Sequence, residues 1–125
     1  MLFDTDVLIW FLRGHAGAAR LISQDAAPAV SVVSHMELVQ GARSREELRL
    51  IRTFLADLGC RTLPLTENIG HRALVYMEEH GLKGSLGMAD ALVAATAVEN
   101  GLDLCTGNVK HFRILPDVKL STFVG

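Results

Sequence analysis

The segment from Met88 to Asn100 limits what this chain can fold into more than any other. It carries apolar and small residues on every side of a helical projection. Before its end at Glu99 and Asn100 its one charge is Asp90, the only ionisable residue between Lys83 and Glu99. A helix that is apolar all round is buried between other elements rather than laid on a surface. A charge in its first turn is then costly unless something compensates it. At 125 residues and 50% hydrophobic, the chain is the size of one ordinary domain with a real core. Both facts favour an α/β arrangement in which a central sheet is covered on its two faces.

The rest of the chain supplies that sheet. Met1 to Phe3, ended by Asp4, is too apolar for a surface strand. Val7 to Leu12 continues as a helical stretch broken near Gly14, and Ala16 to Gln24 forms a second short helix. Pro28 to Val33 is β-branched and predicts a strand. Ser34-His-Met-Glu37 has the form of a capping box and predicts a helix from there to about Ala42. Ser44-Arg-Glu-Glu47 predicts another, with Leu48, Ile51, Phe54, Leu55 and Leu58 at helical spacing and Gly59 at its end. Cys60 to Leu65 is a third strand, and Thr66 caps a helix that stops at Gly81. Leu102 to Thr106 and Val118 to Phe123 are the last strands. Strands alternating with helices imply right-handed crossovers and a mainly parallel sheet of about five strands. With no repeat, low-complexity tract or linker, residues 1–125 form a single domain.

Composition narrows the function classes. A net charge of −2 lacks the bulk basic character of a typical nucleic-acid binder. No apolar run approaches the ~20 residues that span a bilayer, and Asp4 and Asp6 interrupt any signal-peptide reading of the N-terminus. Cys60 and Cys105 form no CxxC pair or disulfide framework, which fits a reducing cytoplasm, and the lack of a long apolar run predicts no membrane association.

In such a sheet the working crevice lies beyond the carboxyl ends of the strands. Asp4 ends the first strand, Glu37 follows the second, Asp90 opens the buried helix, and Thr106-Gly-Asn108 follows the fourth strand. Oxygen-only ligands suit Mg²⁺ or Mn²⁺ and argue against zinc. Each residue also has a plain structural role open to it. Glu37 would serve a capping box, Asp90 the helix dipole, Asp6 a helix cap or a supporting position, and Asn108 a turn. Asp4 has the weakest such explanation, because few partners meet a carboxylate ending an apolar strand. Arg43, Arg45, Arg49 and Arg52 form the densest basic cluster, either a solvated helix face paired with Glu46 and Glu47 or a contact for phosphate backbone. Lys83, in a glycine-bearing loop without Walker A spacing, is a further candidate for phosphate. Trp10 is expected in the core or at a subunit interface.

Three blocks carry a family resemblance: LFDTDVLIWFLRG at 2–14, VSVVSHMELVQGA at 30–42 and ADALVAATAVENGLDLCTGNVKHF at 89–112. In order and spacing they resemble PIN-domain ribonucleases, and among those the VapC-type toxins of toxin–antitoxin pairs. The resemblance implies a three-layer α/β/α fold and Mg²⁺- or Mn²⁺-dependent endonucleolytic cleavage of RNA. It also implies homodimerisation and inhibition by a cognate antitoxin. By position it assigns metal ligation and catalysis to Asp4, Glu37 and Asp90 and the fourth catalytic position to Asn108. One ion on Asp4 and Asp90, with Glu37 direct or through water, would activate water for attack on phosphate, leaving 5′-phosphate and 3′-hydroxyl ends. A second ion near Glu37 would assemble with substrate, and Thr106 and Asn108 would orient water or phosphate. His111 stands where the turn often has another Asp, so this site carries less negative charge than the family's fullest form.

Other classes fit less of the chain. Phe3-Asp-Thr-Asp6 also resembles the start of haloacid-dehalogenase-like phosphatases, yet the later strands lack their basic residue and second acidic pair. A receiver-like signalling domain needs an Asp ending the third strand and a Lys after the fifth; Asp57 lies instead in a helical pattern. A PIN domain that binds a partner with catalysis weakened at Asn108 is the remaining alternative.

Overall fold

The computed structural model describes residues 1–84 and 86–125, Lys83 by its backbone alone. The reading of Lys83 as a phosphate contact therefore lies outside the described residues. In chain order the elements are β1 (Leu2–Phe3), α1 (Thr5–Leu12), α2 (Ala16–Gln24), β2 (Ala29–Ser31), α3 (Val32–Gln40), α4 (Arg45–Asp57) and β3 (Arg61–Leu63). There follow α5 (Glu67–His80), α6 (Met88–Glu99), β4 (Leu104–Thr106), α7 (Val109–Phe112) and β5 (Leu120–Thr122). The strands pair in parallel in the order β3-β2-β1-β4-β5. The expected three-layer α/β/α fold is the one observed.

Successive side chains on a strand leave opposite faces of a sheet, so each apolar pair here feeds both layers. Leu2, Ala29, Leu63 and Leu104 pack with Ile69, Tyr76 and the α6 residues Ala91, Val93, Ala94 and Ala97. Phe3, Val30 and Cys105 pack on the other face with Leu8, Ile22, Ile51 and Leu55. The all-round apolar α6 is buried as its composition predicts, with Ala91, Ala94 and Ala95 fully inaccessible.

Two local expectations are corrected. α3 opens at Ser31, not at Ser34, because the Ser31 hydroxyl accepts from Val33 N at 3.1 Å as soon as β2 ends. Glu37 is thus exposed within the helix body and is not engaged by a capping box. Nor does Asp6 cap α1; Asp4 does, its Oδ1 accepting from Thr5 N at 2.8 Å. The Ser44 cap forms as expected, with Glu47 N donating to Ser44 Oγ at 3.1 Å, while the Glu47 carboxylate turns back onto Arg43. The single turn α7 has no counterpart among the expected elements. Trp10 is only partly buried, beside His15 and under Gly125.

Candidate active site

From β1 the chain steps outward through β2 to β3, then returns to place β4 on the other side of β1. The reversal marks the carboxyl ends of β1 and β4 as the switch point, the place where ligands bind in open parallel sheets. Phe3 pairs with Cys105 in register, and Asp4 N donates to Cys105 O at 2.9 Å. The next residues, Asp4 and Thr106, consequently meet. Thr106 Oγ1 donates to Asp4 Oδ2 at 2.8 Å.

Asp4 is only 5% exposed. Burial, reinforced by the charges of Asp6 and Asp90, pushes its carboxyl up to about 6, against the pull of hydrogen bonds from Thr106 and Thr5. Asp6 lies alongside, half-buried and also raised, chiefly by burial. Its Oδ2 accepts from Gly107 N at 2.8 Å, and its buried Oδ1 has no hydrogen-bond partner among the described residues. Asp6 therefore ties α1 to the turn after β4.

Thr5 is a site residue that sequence reasoning missed. Its backbone N–H holds Asp4, and its hydroxyl donates to Glu37 Oε1 at 2.7 Å. Its only sequence signal is a hydroxyl directly after the carboxylate that ends the first strand. Asp90 stands in the first turn of α6, with His111 Nδ1 3.3 Å from its Oδ2. Asn108 contributes through its backbone: its N–H donates to Thr106 Oγ1 at 2.9 Å, and its side chain caps nothing.

The arginines divide. Arg43, held by Glu47 at 3.1 Å, lines the same groove as Glu37. Arg45, Arg49 and Arg52 line a separate hollow on α4. Arg49 lies 4.0 Å from Glu46, and among the described residues Arg45 and Arg52 form no ion pair.

Gly107 is required by close approach. A Cβ there would stand 2.7 Å from Asp6 Oδ2 and 3.2 Å from the Phe123 carbonyl oxygen, which belongs to backbone and yields little. Gly107→Ala is expected to cost about 1–3 kcal/mol and several degrees in Tm. A melting curve equal to wild type would refute this.

Among the described residues no three of His, Cys, Asp or Glu meet closely enough to form a closed metal cage. A small hard cation does not need one, since Mg²⁺ is commonly held by one or two carboxylates and keeps several waters. Asp4 and Asp90, whose charge acts on Asp4, fit that pattern, and Glu37 is one hydroxyl away. The unpartnered Asp6 Oδ1 fits an acceptor for a water of such an ion.

The PIN-domain family description matches residues 1–115. The chain belongs to the PIN-domain family. Ribonuclease VapC10 of Mycobacterium tuberculosis is 40% identical over 126 aligned positions, spanning 95% of this chain and 90% of that protein. Ribonuclease VapC19 of the same organism is 33% identical over 123 positions, 94% of this chain and 96% of that one. Among solved structures, a toxin–antitoxin complex from Klebsiella pneumoniae superposes with a TM-score of 0.78 at 28% identity, covering 94% of this chain and 93% of that one. The three sequence blocks thus belong to the PIN domain they resemble. No helix among the described residues is long and apolar enough to cross a membrane.

Proposed function

We propose that this PIN domain is an endoribonuclease that hydrolyses RNA phosphodiesters with a divalent cation, Mg²⁺ or Mn²⁺, and acts as the toxin of a toxin–antitoxin pair. The observation that carries the reading is the buried Asp4 carboxylate at the β1/β4 switch point. There its charge is crowded by Asp6 and Asp90, and its partners are Thr5 N–H and Thr106 Oγ1, with no ion pair to a basic side chain among the described residues. Only an added cation offsets that crowding. The similarity to two ribonucleases across nearly the whole chain supports the substrate class.

Asp4 and Asp90 would hold the ion, with Glu37 direct or through water. Bound there, the cation supplies a water of lowered pKa and neutralises charge gathering on the phosphate. The chain's own residues do the positioning. Thr5 N–H and Thr106 Oγ1 fix both oxygens of Asp4, and the Thr5 hydroxyl orients Glu37 toward the same crevice. Asp6 fixes the turn that presents Thr106 and Asn108. Asn108 is the fourth position of the site, contributing an amide rather than a charge. Cleavage of single-stranded RNA that requires Mg²⁺ or Mn²⁺, is abolished by EDTA, and is missing from Asp90→Asn tests the reading. Cleavage undiminished in EDTA overturns it.

Arg43 would meet RNA backbone near Glu37, while Arg45 and Arg49 would steer it from α4. Neutralising Arg45 and Arg49 should lower RNA affinity and flatten its salt dependence by about 1.4 in slope, roughly 0.7 for each phosphate no longer neutralised. An unchanged slope assigns those arginines to a solvated helix face instead.

The solved toxin–antitoxin relative supports an antitoxin partner here too. A groove of about 420 Å³ between α1, α3 and α4 offers Ile9, Leu12, Leu50 and Ile51 beside Glu37, suitable for an apolar segment of such a protein. Homodimerisation is part of the proposal, and sedimentation of the purified chain checks it. Both cysteines are free and at least half-buried, in keeping with work in a reducing cytoplasm.

A further inference from the structure

We infer that Lys110 and Arg113 on α7 form a phosphate-binding edge for RNA, on the flank of the site opposite Arg43; the inference rests on RNA being the substrate, as read above. The strand then crosses the carboxylates between two basic supports. Asp4, Asp6, Glu37 and Asp90 by themselves repel a polyanion. A cation on Asp4 and Asp90 serves the phosphate at the centre. The phosphates on either side need basic side chains of their own.

Sheet order sets the two flanks. α3, which carries Glu37 and leads on to Arg43, follows β2 on one side of β1, and α7 follows β4 on the other. α7 borders the site, since His111 Nδ1 lies 3.3 Å from Asp90 Oδ2. The turn is firmly held. Asn108 N–H donates to Thr106 Oγ1 at 2.9 Å just before it, and the Phe112 side chain is fully buried against the α5 and α6 layer. With Phe112 turned inward, Lys110 and Arg113 are exposed and stand three residues apart, as neighbours on the outward side.

Their charge is left open. From Leu104 to Pro116 the chain carries no carboxylate, and among the described residues neither Lys110 nor Arg113 forms an ion pair. Arg43, by contrast, is held by Glu47, and Arg72 by Glu99 and Asp117. Two cations side by side repel one another, and the dipole of a single helical turn favours them only weakly. An anion laid along α7 removes that repulsion.

Fluorescence anisotropy of a labelled single-stranded oligouridylate, titrated with the full chain in EDTA over a range of salt, reads binding apart from cleavage. Lys110→Gln/Arg113→Gln should flatten the salt dependence by about 1.4 in slope, roughly 0.7 for each phosphate released, and so weaken binding about 25-fold at 0.1 M salt. Combined with Arg43→Gln, the losses should add, because the flanks are separate. Lys119→Gln/Arg61→Gln removes equal charge from the amino ends of β5 and β3, the far end of the sheet, and should change affinity little. With Mn²⁺ present, the α7 variant should raise KM more than it lowers kcat. Its Mn²⁺ uptake and melting temperature should match wild type, both side chains being exposed. An unchanged salt slope in the α7 variant overturns the inference. So does an equal loss in the strand-end control, which would make the effect one of net charge alone. Polyglutamate bound as tightly as RNA, and lost in the same variant, would assign the face to an acidic protein instead. If the wild type binds RNA through α7 yet cleaves none in Mn²⁺, the catalytic reading falls and the contact stands; if it binds no RNA, both fall.

Discussion

Asp4→Asn is expected to abolish RNA cleavage and, in the same protein, to raise the stability of the metal-free fold. The two effects share one cause. Asp4 titrates at about 6 in the fold against an ordinary value of 3.8, with burial the main reason. The folded state thus holds this proton more tightly than the unfolded chain does. Between those two values the folded protein binds more protons, so stability falls as pH rises through the window and stays lowered above it. The interval between 3.8 and about 6 corresponds to a ceiling of about 3 kcal/mol at neutral pH. The amide loses part of the charge-assisted bonding to Thr5 and Thr106, so a net gain of about 1–2 kcal/mol is expected at pH 7.5. Well below pH 3.8 the gain should vanish, because wild-type Asp4 is then protonated in both states. Saturating Mn²⁺ should reverse the order, stabilising wild type by about 2.7 kcal/mol at a hundredfold excess over Kd while leaving Asp4→Asn unmoved. Thermal melts in EDTA and in Mn²⁺ at two pH values check this. A variant less stable than wild type in EDTA at pH 7.5 would show that the Asp4 charge is already compensated within the protein.

Thr106→Val should damage the site without touching a carboxylate. Valine shares threonine's β-branched shape, so at the fully buried Thr106 the chief change is the lost hydroxyl. The substitution removes the donor to Asp4 Oδ2 and the acceptor for Asn108 N–H. A buried polar group left without its partner costs about 1–3 kcal/mol. The Thr106 hydroxyl is the strongest influence holding the Asp4 carboxyl down, so its removal lets that carboxyl rise further. The loss of stability should therefore be larger at pH 8, where Asp4 is charged, than at pH 5, where it is largely protonated. In an Asp4→Asn background the substitution should cost less, and a double-mutant cycle isolates that coupling. Metal affinity should fall roughly 10- to 100-fold. Equal destabilisation at both pH values would mean that the hydroxyl serves only the turn.

Periodicity and caps, read from the chain alone, determined the alternation of strands and helices and the burial of the helix after Gly87. They also placed Asp4, Asp90 and Thr106 at the ends of strands or the start of a helix. These signals are local, since an apolar repeat or a capping hydroxyl acts over one or two turns. Even so, Ser31 displaced Ser34 as the cap of α3, because the place where β2 stops is set by its pairing with β1 and β3. Which side chains meet was decided only by the tertiary structure. Thr106 reaches Asp4 from 102 residues away because β4 lies beside β1, and no local pattern specifies that order. The same placement gives Asp6 to Gly107, and the pairing of β2 with the other side of β1 gives Glu37 to Thr5. The carboxylates were legible as single residues. Their holders were not, because a hydroxyl or a backbone N–H gains its role only from the neighbour the sheet order supplies.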